Sequence, residues 1–226
     1  TPLSPLSPRS PLSSRDELQV LHQDAAMLVV HKPAGLLSVP GRGPERADCV
    51  AARLQAEWPQ ARVVHRLDMA TSGLMVFALG LDAQRHLSRS FEQRRVHKTY
   101  EAIVWGRPTS ERGSIDLPLI CDWPQRPRQK VDFEAGRPAL THWEKLCDEA
   151  QDGCATSRLR LTPVTGRSHQ LRVHLWSIGH AIVGDELYAP PSPMPLANRL
   201  YLHACRLSLP HPQDDRSISF EVPTPF

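Results

Sequence analysis

No stretch of this 226-residue chain approaches eighteen uninterrupted apolar positions, so a membrane-spanning helix is not expected. No charge of one sign dominates either: 27 Lys and Arg against 24 Asp and Glu leave a formal +3, which does not by itself separate a nucleic-acid binder from an ordinary enzyme. The five cysteines, Cys49, Cys121, Cys147, Cys154 and Cys205, form no C-x-x-C pair and no zinc-ligand spacing. Scattered, odd-numbered thiols fit a reducing cytoplasm, and no apolar segment with a small-residue cleavage site points to secretion. Walker A, G-x-G-x-x-G, H-E-x-x-H, G-x-S-x-G and deaminase P-C-x-x-C patterns are all missing, so nucleotide-fuelled, dinucleotide-dependent, zinc-protease, hydrolase-elbow and deaminase chemistries have no signature. His169 and His174 lie five apart, which does not put them on one helical face, and neither a metal nor a cofactor is expected.

What is present is the composition of a globular protein, with 40% apolar and 23% charged residues and a chain long enough to bury a core without disulfides. The 22 prolines crowd the ends and a few connections. Residues 1–16 form a Ser/Pro leader that cannot supply periodic apolar contacts and is expected to be disordered. Residues 17–226 read as one domain with no internal repeat and no clear linker.

Leu18, Val20 and Met27 to Val30 flank a Gln23-Asp24-Ala25 turn, a hairpin that Lys32-Pro33-Ala34-Gly35 must end. Val50, Leu54 and Trp58 recur every four residues, predicting a helix capped by Asp48 and stopped by Pro59. Gly73 to Leu79 reads as a buried strand, and Asp82 is placed to cap a second helix with Ala83, Leu87 and Phe91 on one face. Lys98 to Trp105, Leu140 to Leu146, Ser157 to Leu161, Leu200 to Leu209 and Ile218 to Val222 read as strands. Ser168 is expected to cap a third helix bearing Leu171, Leu175 and Ile178 and ended by Gly179. Runs of strands with few helices between them predict an α+β fold with a mixed, mostly antiparallel sheet.

Two basic segments stand out. Arg85, Arg89, Arg94, Arg95 and Lys98 face only Glu92, and phosphate would be their natural partner, although a solvated helix face is the simpler reading. Cys121 to Lys130 sets Arg126, Arg128 and Lys130 among Trp123, Pro124 and Pro127, as in either a stiff projecting finger or a rigid surface connection. Asp68, in VVHRLDMATSG, sits between an apolar strand end and another apolar run. A carboxylate there needs a charge partner or hydrogen bonds, and by residue type alone capping the turn is its simpler role. Arg172, in TGRSHQLRVH, is placed to pair with a remote carboxylate.

The run HRLDMATSGLMVFA, His65 to Ala78, resembles the signature of the RluA family of RNA pseudouridine synthases. KTY at Lys98 to Tyr100, GRSHQLRVH at Gly166 to His174 and GHAIVGDELY at Gly179 to Tyr188 match further motifs, and HKPAGLLSVPG and DLPLICDWPQRPRQKV are also similar, so the resemblance spans Leu18 to Phe226. It implies the pseudouridine synthase fold, a long mixed sheet flanked by a few helices with a central active-site cleft. It also implies an isomerase that needs neither metal nor cofactor. Asp68 then corresponds to the catalytic aspartate, nucleophile or base on the ribose; Arg172 to the arginine that forms a salt bridge with it; and Tyr100 to the tyrosine that stacks on the target base and is a candidate to take the C5 proton.

Arg66 corresponds to the side chain that fills the gap left by a flipped base, and His65 is a neighbouring substrate contact or a packing residue. Arg126, Arg128 and Lys98 are the expected RNA contacts. Some relatives carry an N-terminal S4 domain, but about seventeen residues before the first strand are too few for a packed module, so the catalytic domain is expected to grip RNA, as a monomer. The finger segment points to the branch acting on the tRNA anticodon arm and on large-subunit (23S) rRNA. His31 departs from the asparagine usual there. Two other readings stay open: a non-catalytic RNA-binding protein on this scaffold, and a nucleoside hydrolase with Asp185 or Glu186 as acid.

Overall fold

The computed structural model describes residues 18–151, 153–189 and 197–226; the leader expected over residues 1–16 lies outside the described residues. Among the described residues, no helix is long and apolar enough to cross a membrane.

The expected first hairpin forms from β1 (Gln19–Gln23) and β2 (Met27–Lys32). After it come helix α1 (Val50–Glu57), strands β3 (Ala61–Val63) and β4 (Ser72–Leu79), and helix α2 (Leu81–Glu92). Strands β5 (His97–Trp105), β6 (Arg112–Asp116), β7 (Leu119–Cys121) and β8 (Gln129–Val131) follow. The long hairpin of β9 (Leu140–Gln151) and β10 (Cys154–Pro163) leads to helix α3 (Gln170–Ser177) and strands β11 (Leu202–Pro210) and β12 (Ser217–Glu221).

The main sheet has ten strands along the path β1-β2-β4-β11-β5-β10-β9-β6, with β12 on β11 and β3 on β4, while β7 and β8 form a separate ribbon. Every pairing of named strands in it is antiparallel except β4 with β11, so the predicted α+β, mostly antiparallel architecture is the one found. Strand β4 is apolar without alternation because both of its faces are covered. Met75 and Phe77 join a core with α1, Tyr100, Leu171 and Leu175. Leu74, Val76 and Ala78 join a second core with Ala83 and Leu87 of α2.

The expected helices exist, but their caps differ. Cys49, whose Sγ accepts from the Ala52 N–H at 3.3 Å, caps α1, while Asp48 pairs with Arg53 at 2.8 Å. Gly80 precedes α2, leaving Asp82 in the first turn on Arg85. His169, in the left-handed region at φ 52°, rather than Ser168, precedes α3. Each residue named as a cap is one position from the true one or already engaged, a choice set by the approaching chain rather than by propensity.

Two features of the sheet are open to test. At Gly73, φ is 118° and a Cβ would overlap the backbone of Ala204, so β4 and β11 meet there only because no side chain intervenes. Gly73→Ala is expected to cost about 2–4 kcal/mol in urea unfolding; an unchanged midpoint would contradict the close approach. At the sheet edge, the Asp24 carboxylate takes His22 at 2.7 Å, His211 at 2.9 Å and the N–H groups of Ala26 and Met27. Burial works to raise its pKa, but the hydrogen bonds from His22, Ala26, His211 and Met27 outweigh it and hold it well below the carboxylate range. A carboxylate depressed on folding contributes stability above its unfolded pKa and loses it as pH falls. Asp24→Asn is therefore expected to cost about 1–2 kcal/mol at pH 7, with the difference from wild type shrinking below about pH 4; a gap constant with pH would contradict the assignment.

Candidate active site

The sheet register brings the site together. Gly73 of β4 pairs with Ala204 of β11, which pairs with Tyr100 of β5, so Tyr100 lies two strands from the loop that carries Asp68. Helix α3 crosses the same face and supplies Arg172. A cavity of about 530 Å³ results, lined among others by His65, Arg66, Asp68, Lys98, Tyr100 and Arg172. A second cavity of about 790 Å³ opens on the other side of the Asp68 loop, and Arg66, Asp68, His169 and Arg172 line both.

Asp68 does not cap its turn, the simpler role its residue type allows. Its side chain is 20% exposed, and among the described residues no donor lies within hydrogen-bond distance of its carboxylate: the Arg172 Nη1 stands at 3.6 Å and the His169 Nε2 at 4.0 Å. The expected Arg172–Asp68 salt bridge is thus the longer of two. The guanidinium fork is committed to Asp185, Nε to Oδ2 and Nη2 to Oδ1, both at 2.7 Å, with both side chains buried. Burial works to lower the Arg172 pKa, but the bonds and charge of Asp185, with that of Asp68, raise it. Asp185 also accepts the N–H groups of Leu187 and Tyr188. With both oxygens occupied and a place in the lining of neither cavity, Asp185 is not set to act as the acid of a hydrolase; Glu186 is exposed and lines only the second of the two cavities.

Tyr100 is buried, and burial, with the nearby charge of Asp68, pushes its phenol upward, so it stays neutral at ordinary pH. Lys98 lines the cavity with no counterion among the described residues, and burial lowers its pKa. Arg66 is exposed at the junction of the two cavities. His65, expected as a substrate contact or a packing residue, lines the cavity with its Nε2 accepting from the Val76 N–H at 3.0 Å and its ring stacked on Phe91. Burial, with Lys98 nearby, brings its pKa down to about 3.

The finger exists as the β7–β8 ribbon, but its cations do not line either cavity. Arg126 stacks on the exposed Trp123 at 4.5 Å, and Arg128 folds back over Tyr188 and Trp176. Of the basic run on α2 and the turn after it, Arg95 is tied to Asp215 and Arg85 to Asp82, whereas Arg94 lines the first cavity.

Three residues of the site were given no role there by the sequence, His169 having been weighed only as a metal ligand. Lys32 is fully buried beneath the Asp68 loop and donates to the carbonyls of Pro33, Leu36 and Met69 at 2.7–2.9 Å. Burial brings its pKa down to about 7, opposed by the charge of Asp68. His169 and Tyr188 are joined at 2.7 Å beside Asp68. All three fall within stretches already noted, HKPAG, GRSHQ and GDELY, and only the contacts single them out.

This architecture is shared with solved pseudouridylate synthases. Human RNA pseudouridylate synthase domain containing 1 superposes with a TM-score of 0.79 at 28% identity, over 96% of this chain and 87% of that one. The human domain-containing-4 protein gives 0.70 at 27%, over 91% and 88%. The RNA pseudouridylate synthase family matches residues 26–177. Two curated relatives carry the name dual-specificity RNA pseudouridine synthase RluA: that of Escherichia coli K12 is 52% identical over 92% of this chain and 94% of its own length, and that of Yersinia pestis 50% over 92% and 99%. The chain belongs to the RluA family of RNA pseudouridine synthases, and is thus an isomerase with RNA as its partner.

Lys32→Met would leave three carbonyls under the loop without a donor, and is expected to cost about 2–4 kcal/mol in urea unfolding. A variant as stable as wild type would show that the ammonium does not hold the loop.

Proposed function

We propose that residues 17–226 form a catalytic domain that converts specific uridines to pseudouridine in the tRNA anticodon arm and in a stem-loop of large-subunit (23S) rRNA, with Asp68 as the catalytic group. The observation that carries this is the Asp68 carboxylate, open to a cavity and free of direct hydrogen bonds among the described residues, yet faced by Arg172 at 3.6 Å. A carboxylate so placed keeps its lone pairs for the substrate. The reaction breaks the bond from uracil N1 to the ribose C1′, turns the base and joins C5 to C1′; the C5 hydrogen leaves and N1 gains one, so nothing is added overall. Asp68 acts on the ribose, as nucleophile or as base. Tyr100 stacks on the uracil and, with its phenol kept neutral, can exchange the C5 proton through its oxygen.

A uridine in a stem-loop reaches this cavity only by leaving its stack, at a cost of a few kcal/mol. Arg66, exposed at the rim, fills the vacancy, and Lys98 and Arg94 meet the flanking phosphates. Arg126 and Trp123 meet RNA at the finger, and Arg128 sets the finger against the body. The dual-specificity name of relatives that align over 92% of the chain supports the two-RNA reading. The five free thiols support a cytoplasmic setting, and a single chain holds every residue of the site, as a monomer requires.

The test is pseudouridine mapping on total RNA incubated with wild type and with Asp68→Asn. Sites made by wild type alone, with RNA affinity retained within about tenfold in the variant, are the expected result. Turnover by Asp68→Asn would overturn the assignment, and tight binding without any new site would favour an RNA-binding protein.

A further inference from the structure

Asp68 is linked to the finger by a chain of two side chains that the proposed chemistry does not use. The backbone N–H of Gln129, the first residue of β8, lies 2.7 Å from the Tyr188 hydroxyl oxygen, and the same oxygen lies 2.7 Å from the His169 Nδ1. A backbone N–H can only donate, so the Tyr188 oxygen accepts there. Its own hydrogen has one acceptor among the described residues, the His169 Nδ1. With that hydrogen directed at Nδ1, a neutral ring carries its own hydrogen on Nε2, and burial, opposed by the charge of Asp68, lowers the His169 pKa. That Nε2 faces the Asp68 Oδ1 at 4.0 Å, about 1 Å beyond a hydrogen bond.

The ring has little freedom to point elsewhere. His169 sits at φ 52° immediately before α3, and Tyr188 packs edge-on against it at 5.7 Å between centroids. Tyr188 is also where the finger rests: the Arg128 guanidinium lies 5.4 Å from its ring, and that of Arg172 lies 5.2 Å from it.

We propose that His169 and Tyr188 are positioning residues that couple the seating of the finger to the orientation of Asp68. With Gln129 docked, Tyr188 fixes the imidazole in its Nε2–H form, and that N–H orients the carboxylate once RNA draws the loop and α3 together by about 1 Å. The inference rests on the reading of Asp68 as the catalytic group.

Tyr188→Phe keeps the ring beneath both guanidiniums and removes the hydroxyl. His169→Asn keeps a residue that tolerates positive φ and removes the imidazole. Each is expected to slow single-turnover pseudouridine formation on saturating RNA about tenfold or more, with RNA affinity within about twofold. The double variant is expected to be no slower than the slower single one, because both changes break the same path. Unchanged rates, a loss confined to affinity, or multiplying effects in the double variant would each overturn the coupling.

Nitrogen NMR of the His169 ring in the wild-type protein needs neither turnover nor a variant. An Nε2–H tautomer is expected, and an Nδ1–H or charged ring overturns the chain of donors. A protein that shows the Nε2–H tautomer but modifies no RNA would refute the proposed function while leaving the hydrogen-bonded chain in place.

Discussion

The buried pair of Arg172 and Asp185 is the constraint on which the site depends. Two 2.7 Å bonds fix the plane of the guanidinium, and the backbone N–H groups of Leu187 and Tyr188 fix the carboxylate from the other side. Such a pair is costly to desolvate and gains little net stability, but removing either member strands a buried charge at about 3–5 kcal/mol. Its contribution is therefore geometric. With Nε and Nη2 engaged, only Nη1 remains to face Asp68, at a distance that supplies positive potential without capturing the carboxylate. A direct two-bond salt bridge to Asp68 would have occupied the lone pairs that the proposed chemistry needs.

The same economy governs the ground beneath the loop. Lys32 holds the Met69 carbonyl from below, Ser38 bonds to Leu67 through its hydroxyl, and His65 pins the approach to β4, so the loop is fixed by its backbone on both sides of Asp68. None of these bonds uses the Asp68 carboxylate. The loop backbone is thereby held while the carboxylate stays uncommitted, the preorganisation that the proposed action of Asp68 on the ribose, as nucleophile or as base, requires. The cations arranged around it differ in kind. Arg172 is locked, Lys98 is weakened by burial, and Arg66 is exposed, matching one role at the reacting atoms and two toward a polyanion.

Much of the fold was legible in the sequence because long apolar runs have few alternatives: β4, β5, β10 and β11 were all expected near their observed positions. Strands β3, β6, β7 and β8 were not, since each is three to five residues long and carries too short a pattern to show a period. The helix caps were misplaced by a residue or more because the cap depends on the direction of the incoming chain, as the left-handed turn at His169 shows. Asp68, Tyr100 and Arg172 were legible as a set through resemblance. Their partners were not, since Arg172 and Asp185 lie thirteen residues apart on a helix and a turn that meet only after folding.

Sequence alone thus determined the mixed sheet, through its strand patterns, and, through resemblance, the class of the protein and the three residues on which its chemistry is proposed to turn, because a motif is a local run of residues. The tertiary structure decided what each of those residues is free to do. It tied Arg172 to Asp185, left the Asp68 carboxylate without a hydrogen bond among the described residues, bonded the His65 ring to the Val76 N–H and folded Arg128 back onto Tyr188. It also joined the finger to His169 through the Tyr188 hydroxyl. Whether a charged group is spent on a neighbour or left for a substrate depends on contacts between distant segments, and those exist only once the sheet has brought the segments together.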